Sequence, residues 1–517
     1  MRSVLVSLIS LVLVADAAKI LGVIPTPSYS HQIAFRSLWS ELSLRGHEVT
    51  VITTHPVNNG TLKNLKEVDI SFVKKYLEER YEGDKVLEAL NNGVMATLKF
   101  IEDMLIDTSN HVLDHKGVRE IMKQKNGTYD VVLVESLFPE MNAFGDLFGC
   151  PVIGVISLDA PANLYGSLGN PTHPAVYPDV VLPFSAPLTF SERVVSTIYN
   201  PLREVHRKYS FNPRKEEVLR RHFPTVSKSY NEVYGNMEMV FVNSHPVLQG
   251  VRPLGPSIVT IGGTTNIETP KPLPKDLKQF MDEAKEGVIY FSLGSNVKSK
   301  NLSDKLRRTL ISTLGKLSYN VLWKFETNMT DLPQNIKIIS WAPQQDILRH
   351  PNVKLFITQG GLQSLQEAIM YEVPLVVFPF FGDQAHNARI VENRGLGKRL
   401  VHSTLEAQEF ERAVVEVITN KKYKDNVIRM KTLILDEPMS GVEKAVWWTE
   451  YVIRHKGAKH FRDPILDLSL LEYYQIDVYA FLTVVTIFVL FTFYYVFNVV
   501  CRLLNKLLNR NKKLKEL

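Results

Sequence analysis

Cysteine is nearly absent. The chain has two in 517 residues, Cys150 and Cys501. Cys501 falls just after a long apolar run, so the body of the protein has one thiol and no partner for it. A disulfide framework is excluded, and the core must be held by burial alone. Excess charge of one sign is also missing from the body. The formal charge is +6. Six basic side chains in the last 17 residues (Arg502, Lys506, Arg510, Lys512, Lys513, Lys515), set against Glu516, account for five of those charges. The rest is close to neutral, so the chain has no nucleic-acid footprint and no nucleic-acid partner is expected. No glycine-rich G-x-G-x-x-G loop follows the first strand, which excludes a dinucleotide binder there.

Apolar residues are plentiful, at 45%, enough for two sizeable cores. Both ends carry targeting patterns. Met1-Arg2-Ser3, an apolar run over residues 4–14 and Ala15-Asp16-Ala17 describe a cleavable signal peptide, residues 1–17. Residues 478–500 carry no charge and suffice for one membrane-spanning helix. The basic tail after it, residues 501–517, predicts a single-pass type I orientation with a cytosolic tail and a lumenal body. Lys513 and Lys515 stand five and three places from the end, a spacing that resembles a dilysine retrieval signal and predicts the endoplasmic reticulum membrane. Four N-x-S/T sequons, at Asn59, Asn126, Asn301 and Asn328, fit a lumenal body as glycosylation sites. Cys150 precedes Pro151 and an apolar run, which predicts an inert core thiol.

Between these ends, short apolar strands alternate with amphipathic helices. Strands are expected at residues 20–24, 48–53, 131–135, 152–157 and 239–243, with a helix at 33–44 stopped by Gly46. Longer helix-rich stretches, about 76–120 and 188–233, stand beside the strands, where insertions shape binding pockets. The stretch 262–274 (GGTTNIETPKPLP) has the composition of a linker. Alternation then restarts, with strands at 288–293, 320–325, 336–341, 355–358 and 375–378. The expectation is an α/β protein with two doubly wound parallel sheets, residues 18–261 and 275–477, and ligands at the carboxyl ends of the strands.

Residues 341–384 read WAPQQDILRHPNVKLFITQGGLQSLQEAIMYEVPLVVFPFFGDQ. A flat Trp341 at a strand end can stack on a base. Thr358-Gln359-Gly360-Gly361 leads from a strand into a helix, where glycines admit a pyrophosphate to the helix N-terminus. This segment resembles the signature of the UDP-glycosyltransferases almost end to end, and the likeness extends over nearly the whole chain. It implies the GT-B fold of two Rossmann-like domains, transfer with inversion, no metal and no bound cofactor, since the UDP-sugar is a co-substrate. It also implies site roles: Trp341 and Gln344 at the uracil, Gln359, Gln363 and Ser364 at the phosphates, Glu367 at the ribose, and Asp383 and Gln384 at the sugar. Ser295, in the turn after the first strand of this half, matches the other phosphate-side turn, and Arg252 is a further candidate for the phosphate. Gln359 stands where many members have His. The wording ITQGGLQS is similar to the insect and baculovirus branch and so implies glucose as the sugar and a small lipophilic acceptor.

In the first half, His31 follows the first strand in the loop Pro25-Thr26-Pro27-Ser28-Tyr29-Ser30-His31. A neutral imidazole there suits removal of a proton from an acceptor hydroxyl. By resemblance an acidic residue at a later strand end supports it, and Glu135 stands there in place of the usual Asp. His47 reads as a turn residue. A second reading, a catalytically silent lumenal binding protein that keeps the fold, draws on Gln359 and Glu135. The sequence leaves homo-oligomerisation open.

Overall fold

The computed structural model describes residues 17–81 and 93–515; the expected signal peptide therefore lies almost wholly outside the described residues. Two parallel sheets carry the body. The first has seven strands: β1 (Lys19–Ile24), β2 (Glu48–Thr53), β3 (Leu65–Asp69), β4 (Val131–Glu135), β5 (Val152–Ile156), β6 (Met237–Val242) and β7 (Ile258–Thr260), in the order 3-2-1-4-5-6-7. The second has six: β8 (Val288–Ser292), β9 (Asn320–Lys324), β10 (Ile336–Ile339), β11 (Val353–Thr358), β12 (Leu375–Val377) and β13 (Gly397–Arg399), in the order 10-9-8-11-12-13.

Why these segments are strands follows from burial on both faces. In β1, Leu21 and Val23 enter one core and Ile20 and Ile24 the core on the opposite face. In β8, Val288 and Tyr290 face one side, Ile289 and Phe291 the other. Continuous apolar runs are the mark of parallel strands covered on both faces. Each sheet reverses its winding once, between β1 and β4 and between β8 and β11. Crevices open at the carboxyl ends of strands at such switch points.

One domain boundary differs from expectation. The helix Gly441–Arg454 does not stay with the second sheet, although residues 275–477 read as one unit. Its Ala445, Val446 and Val452, with Ala458 just beyond, join Phe35, Leu38 and Trp39 in the core of the first sheet. At Gly441 an added Cβ would sit 1.9 Å from the Ile261 carbonyl oxygen, so only glycine fits this approach. The apolar face of the helix finds its partner some 400 residues back in the chain, a pairing that sequence distance conceals. The expected linker is also no free tether. Asn266 donates to the Gln363 carbonyl (3.3 Å), and Gln345 Nε2 donates to the Asn266 carbonyl (2.7 Å).

Residues from Asp463 form a separate unit. Its main element is the helix Ile476–Lys515, of which Ile476–Asn511 is long and apolar enough to cross a membrane, with mean hydropathy 2.2 in its most apolar window. Phe481, Phe488, Phe491 and Phe497 are exposed along it, as side chains meant for lipid are. The helix runs on without a break through most of the expected tail, residues 501–517.

Candidate active site

Both switch points carry site residues. At the first, the chain leaves β1 through Pro25–Ser28 and enters the helix Tyr29–Leu44 with His31 in its first turn. Glu135 is the last residue of β4, fully buried. His31 Nδ1 lies 3.1 Å from Glu135 Oε1 and 2.7 Å from Ser157 Oγ, and Thr26 N–H donates to Glu135 Oε2 at 3.1 Å. An ionised carboxylate can only accept, so Nδ1 carries the ring proton and Nε2 the lone pair. Glutamate's extra methylene is thus accommodated. The imidazole keeps a slight exposure, 13%.

At the second switch point, the turn after β8 (Gly294-Ser295) meets the turn after β11. A Cβ on Gly294, at φ 75°, would lie 2.3 Å from Gln359 Nε2. Gly360, at φ 88°, would place one 2.6 Å from Val377. Both positions require glycine. The helix Leu362–Met370 begins here with Gly361 as N-cap and no side-chain cap, leaving its first N–H groups for a ligand. Ser295 is half-exposed beside this gap.

Trp341 lies two residues past the end of β10 and is 60% exposed, which excludes a role in capping the sheet core. Tyr29 from the first domain meets it edge-on at 5.7 Å, and Lys324 Nζ stands 6.0 Å from its ring. Glu367, on the helix Leu362–Met370, is buried. Gln344 Nε2 donates to Glu367 Oε2 (2.6 Å) and to Ser364 Oγ (3.0 Å), and Gln345 Nε2 donates to Oε1 (3.0 Å). Burial pushes the Glu367 carboxyl up to about 7, against the pull of these hydrogen bonds. At the other end, Asn387 Nδ2 donates to Asp383 Oδ2 (2.7 Å), and burial raises this carboxyl, with His31 across the cleft pulling the other way. Gln384 Oε1 accepts from the Phe380 and Phe381 N–H groups, so its amide Nε2 is the end available to a ligand.

Three expected roles meet a different geometry. The Gln363 side chain is engaged by the first domain: its Nε2 donates to the Ser157 carbonyl at 2.7 Å. The Gln344 side chain is spent on Ser364, Glu367 and Tyr290 OH (3.2 Å). Arg252 donates to Asp159 Oδ2 at 2.9 Å and lies over the rings of Tyr165 and Tyr177, so its charge is neutralised within the first domain. Sequence reading missed Ser157, Lys324 and Asn387. Ser157 and Lys324 stand at carboxyl ends of buried strands, and that position was the available signal. Asn59, Asn126, Asn301 and Asn328 are all exposed. Cys150 is not a core residue but is partly buried against the edge of the first core, and burial raises its thiol to about 12.

Solved structures share this architecture. The glycotransferase of kitacinnamycin superposes with a TM-score of 0.56 at 18% identity, covering 85% of this chain and 99% of its own. Calicheamicin glycosyltransferase CalG4 gives 0.53 at 19%, with 85% and 99% covered. Two Rossmann-like parallel sheets with paired turns at their switch points thus define the GT-B fold. The model of the UDP-glucoronosyl and UDP-glucosyl transferase family matches residues 18–513, and the chain belongs to that family. UDP-glycosyltransferase UGT4 of Dactylopius coccus is 30% identical over 91% of this chain and 93% of its own. The ecdysteroid UDP-glucosyltransferase of Lymantria dispar multicapsid nuclear polyhedrosis virus is 31% identical (86% and 89%), and human UDP-glucuronosyltransferase 2B7 is 30% identical (90% and 90%). The protein is an enzyme that transfers a sugar from a UDP-sugar.

Proposed function

We propose that this enzyme moves glucose from UDP-glucose, with inversion, to a hydroxyl of a small lipophilic acceptor, and that His31 is the general base. The observation that carries the reading is the His31 ring held at Nδ1 by Glu135 and Ser157, with Nε2 left to take a proton and Asp383 within electrostatic reach. In the step, the acceptor O–H gives its proton to Nε2 and its oxygen bonds to the anomeric carbon. The bond from that carbon to the phosphate oxygen breaks, and UDP leaves with the electron pair. Glu135 stabilises the imidazolium. The N-terminus of the helix Leu362–Met370 opposes the charge growing on the phosphate. Trp341 stacks on the uracil, Glu367 accepts from the ribose hydroxyls, and Asp383 and Gln384 bracket sugar hydroxyls. No step calls on a metal.

Glucose is favoured over glucuronate by charge. A sugar carboxylate in a half-dehydrated cleft needs a cation. Arg252 is already paired with Asp159. Arg389 is engaged by Glu192 and Glu392. Burial lowers the basicity of His386, whose Nδ1–H goes to the Phe184 carbonyl. Among the relatives, the name of the viral enzyme joins a steroid acceptor to glucose, whereas the human name carries glucuronate. On the same reading the catalytic unit is lumenal in the endoplasmic reticulum, held by the C-terminal helix, with its exposed sequons glycosylated.

The test compares kcat/KM for UDP-glucose and UDP-glucuronate with one phenolic or steroidal acceptor, and reads the product's anomeric configuration by NMR. A β-glucoside formed with a clear preference for UDP-glucose is expected. Parity between donors overturns the sugar assignment, and an α-product overturns inversion.

A further inference from the structure

The residues that fix His31 from behind are tied to the opposite domain. Ser157 follows β5, next to the strand that ends in Glu135, and Asn243 follows β6. The Ser157 carbonyl accepts two amides: Asn243 Nδ2 of its own domain at 2.8 Å and Gln363 Nε2 of the second domain at 2.7 Å. Beside it, Gln366 Nε2 donates to Asn243 Oδ1 at 2.9 Å and Asn243 Nδ2 returns to Gln366 Oε1 at 3.4 Å. Ser157, Asn243, Gln363 and Gln366 are all at least 95% buried. Gln363 and Gln366 are three residues apart on one face of the helix whose N-terminus faces the phosphate gap. Water is excluded from this seam, so an amide that loses its partner there pays its full desolvation cost. The seam therefore has one preferred register.

The Ser157 side chain carries that register to the ring. A neutral imidazole has one proton. With that proton on Nδ1, Glu135 Oε1 and Ser157 Oγ share it from two directions. Two acceptors fix the ring's rotation, whereas one leaves it free to swing about the bond. A base must stand within hydrogen-bond reach of the hydroxyl it deprotonates.

We propose that Ser157 is a positioning residue for His31 and that Gln363, from the donor-binding helix, sets Ser157 in place, so that the base is aligned by the docked second domain. The proposal rests on the reading of His31 as general base. It assigns Gln363 to the domain seam rather than to the phosphates.

A double-mutant cycle tests it, because residues that act through one another are non-additive. Ser157→Ala should lower kcat about 5- to 10-fold, the worth of one hydrogen bond, with UDP affinity unchanged. The same change in a His31→Ala background should cost nothing further, and Ser157→Thr, which keeps the hydroxyl, should recover most of the rate. Gln363→Met, close in volume and without the amide, should lower kcat and leave UDP affinity within about twofold. An equal loss from Ser157→Ala in both backgrounds would overturn the positioning role. A Gln363→Met enzyme with weakened UDP binding and normal kcat would return Gln363 to the phosphates and overturn the coupling. Near-normal turnover in His31→Ala would instead remove the base itself, and this proposal with it.

Discussion

The two sheets are wound alike and connected differently. In the second, β11 passes to β12 through residues 359–374 and β12 to β13 through residues 378–396. Those crossovers hold one helix each, and six of the ten candidate donor residues lie in them: Gln359, Gln363, Ser364, Glu367, Asp383 and Gln384. In the first, β3 passes to β4 through residues 70–130, and β5 to β6 through residues 157–236. Long helices such as Val94–Asp114 and Phe190–His206 lie within these spans. The contrast fits a division of labour. A half that grips one unvarying nucleotide can be compact and dense in motif. On the proposed reading, the half that receives the acceptor carries long helical insertions beside His31 and Glu135.

That division can be broken first at the base. His31→Ala should lower kcat by ~10²–10⁴-fold, the usual worth of general-base catalysis. A loss below about tenfold at saturating substrates would move the chemistry out of the first half.

A smaller effect, with a sign of its own, belongs to Glu367 in the second half. Its carboxyl rises from 4.5 to about 7 in the folded protein. Between those values the folded state binds more protons than the unfolded state, so stability falls as pH rises from 4.5 toward 7 and is level above. The span corresponds to about 3 kcal/mol. Thermal melts of the ligand-free enzyme should show Tm declining over this window, and Glu367→Gln should flatten the decline. Ribose hydroxyls prefer the carboxylate form, so UDP affinity should weaken as pH drops below about 7, and not in the Gln variant. A wild-type profile as flat as the variant's would contradict the buried, ligand-accepting carboxylate.

The least of the three concerns Trp341. Removing the indole should cost UDP binding ~1–3 kcal/mol, the range for base stacking on an aromatic ring, with kcat at saturating donor little changed. A fall in kcat with normal UDP affinity would place Trp341 in the chemistry and blur the division.

Legibility follows the same line. The central strands were readable because parallel strands covered on both faces are unbroken apolar runs. β3 (Leu65–Asp69) and β13 (Gly397–Arg399) were not, because Lys66, Glu67 and Asp69 interrupt the first and the second has only three residues, two of them basic. β7, of three residues, is shorter still than most. Trp341, Gly360 and Glu367 were legible through a motif whose chemistry is local: a turn, a helix start, a flat ring. Gln363, Gln344 and Arg252 show where local chemistry stops. Their donors are evident from residue type, but which acceptor each reaches is decided by Ser157, Glu367 and Asp159, residues brought in by the fold. The return of the helix Gly441–Arg454 to the first sheet is of the same kind, since its amphipathic pattern fixes which face is buried and leaves open against what.

The central claim is that the first half supplies the proton acceptor and the second half holds the nucleotide. Calorimetric titration of His31→Ala with UDP, on the preparation whose turnover has been measured, tests it most directly. The account predicts a Kd within about twofold of the native enzyme beside a turnover reduced a hundredfold or more. A Kd weakened in proportion to the loss of turnover would contradict it, because His31 would then belong to the donor site.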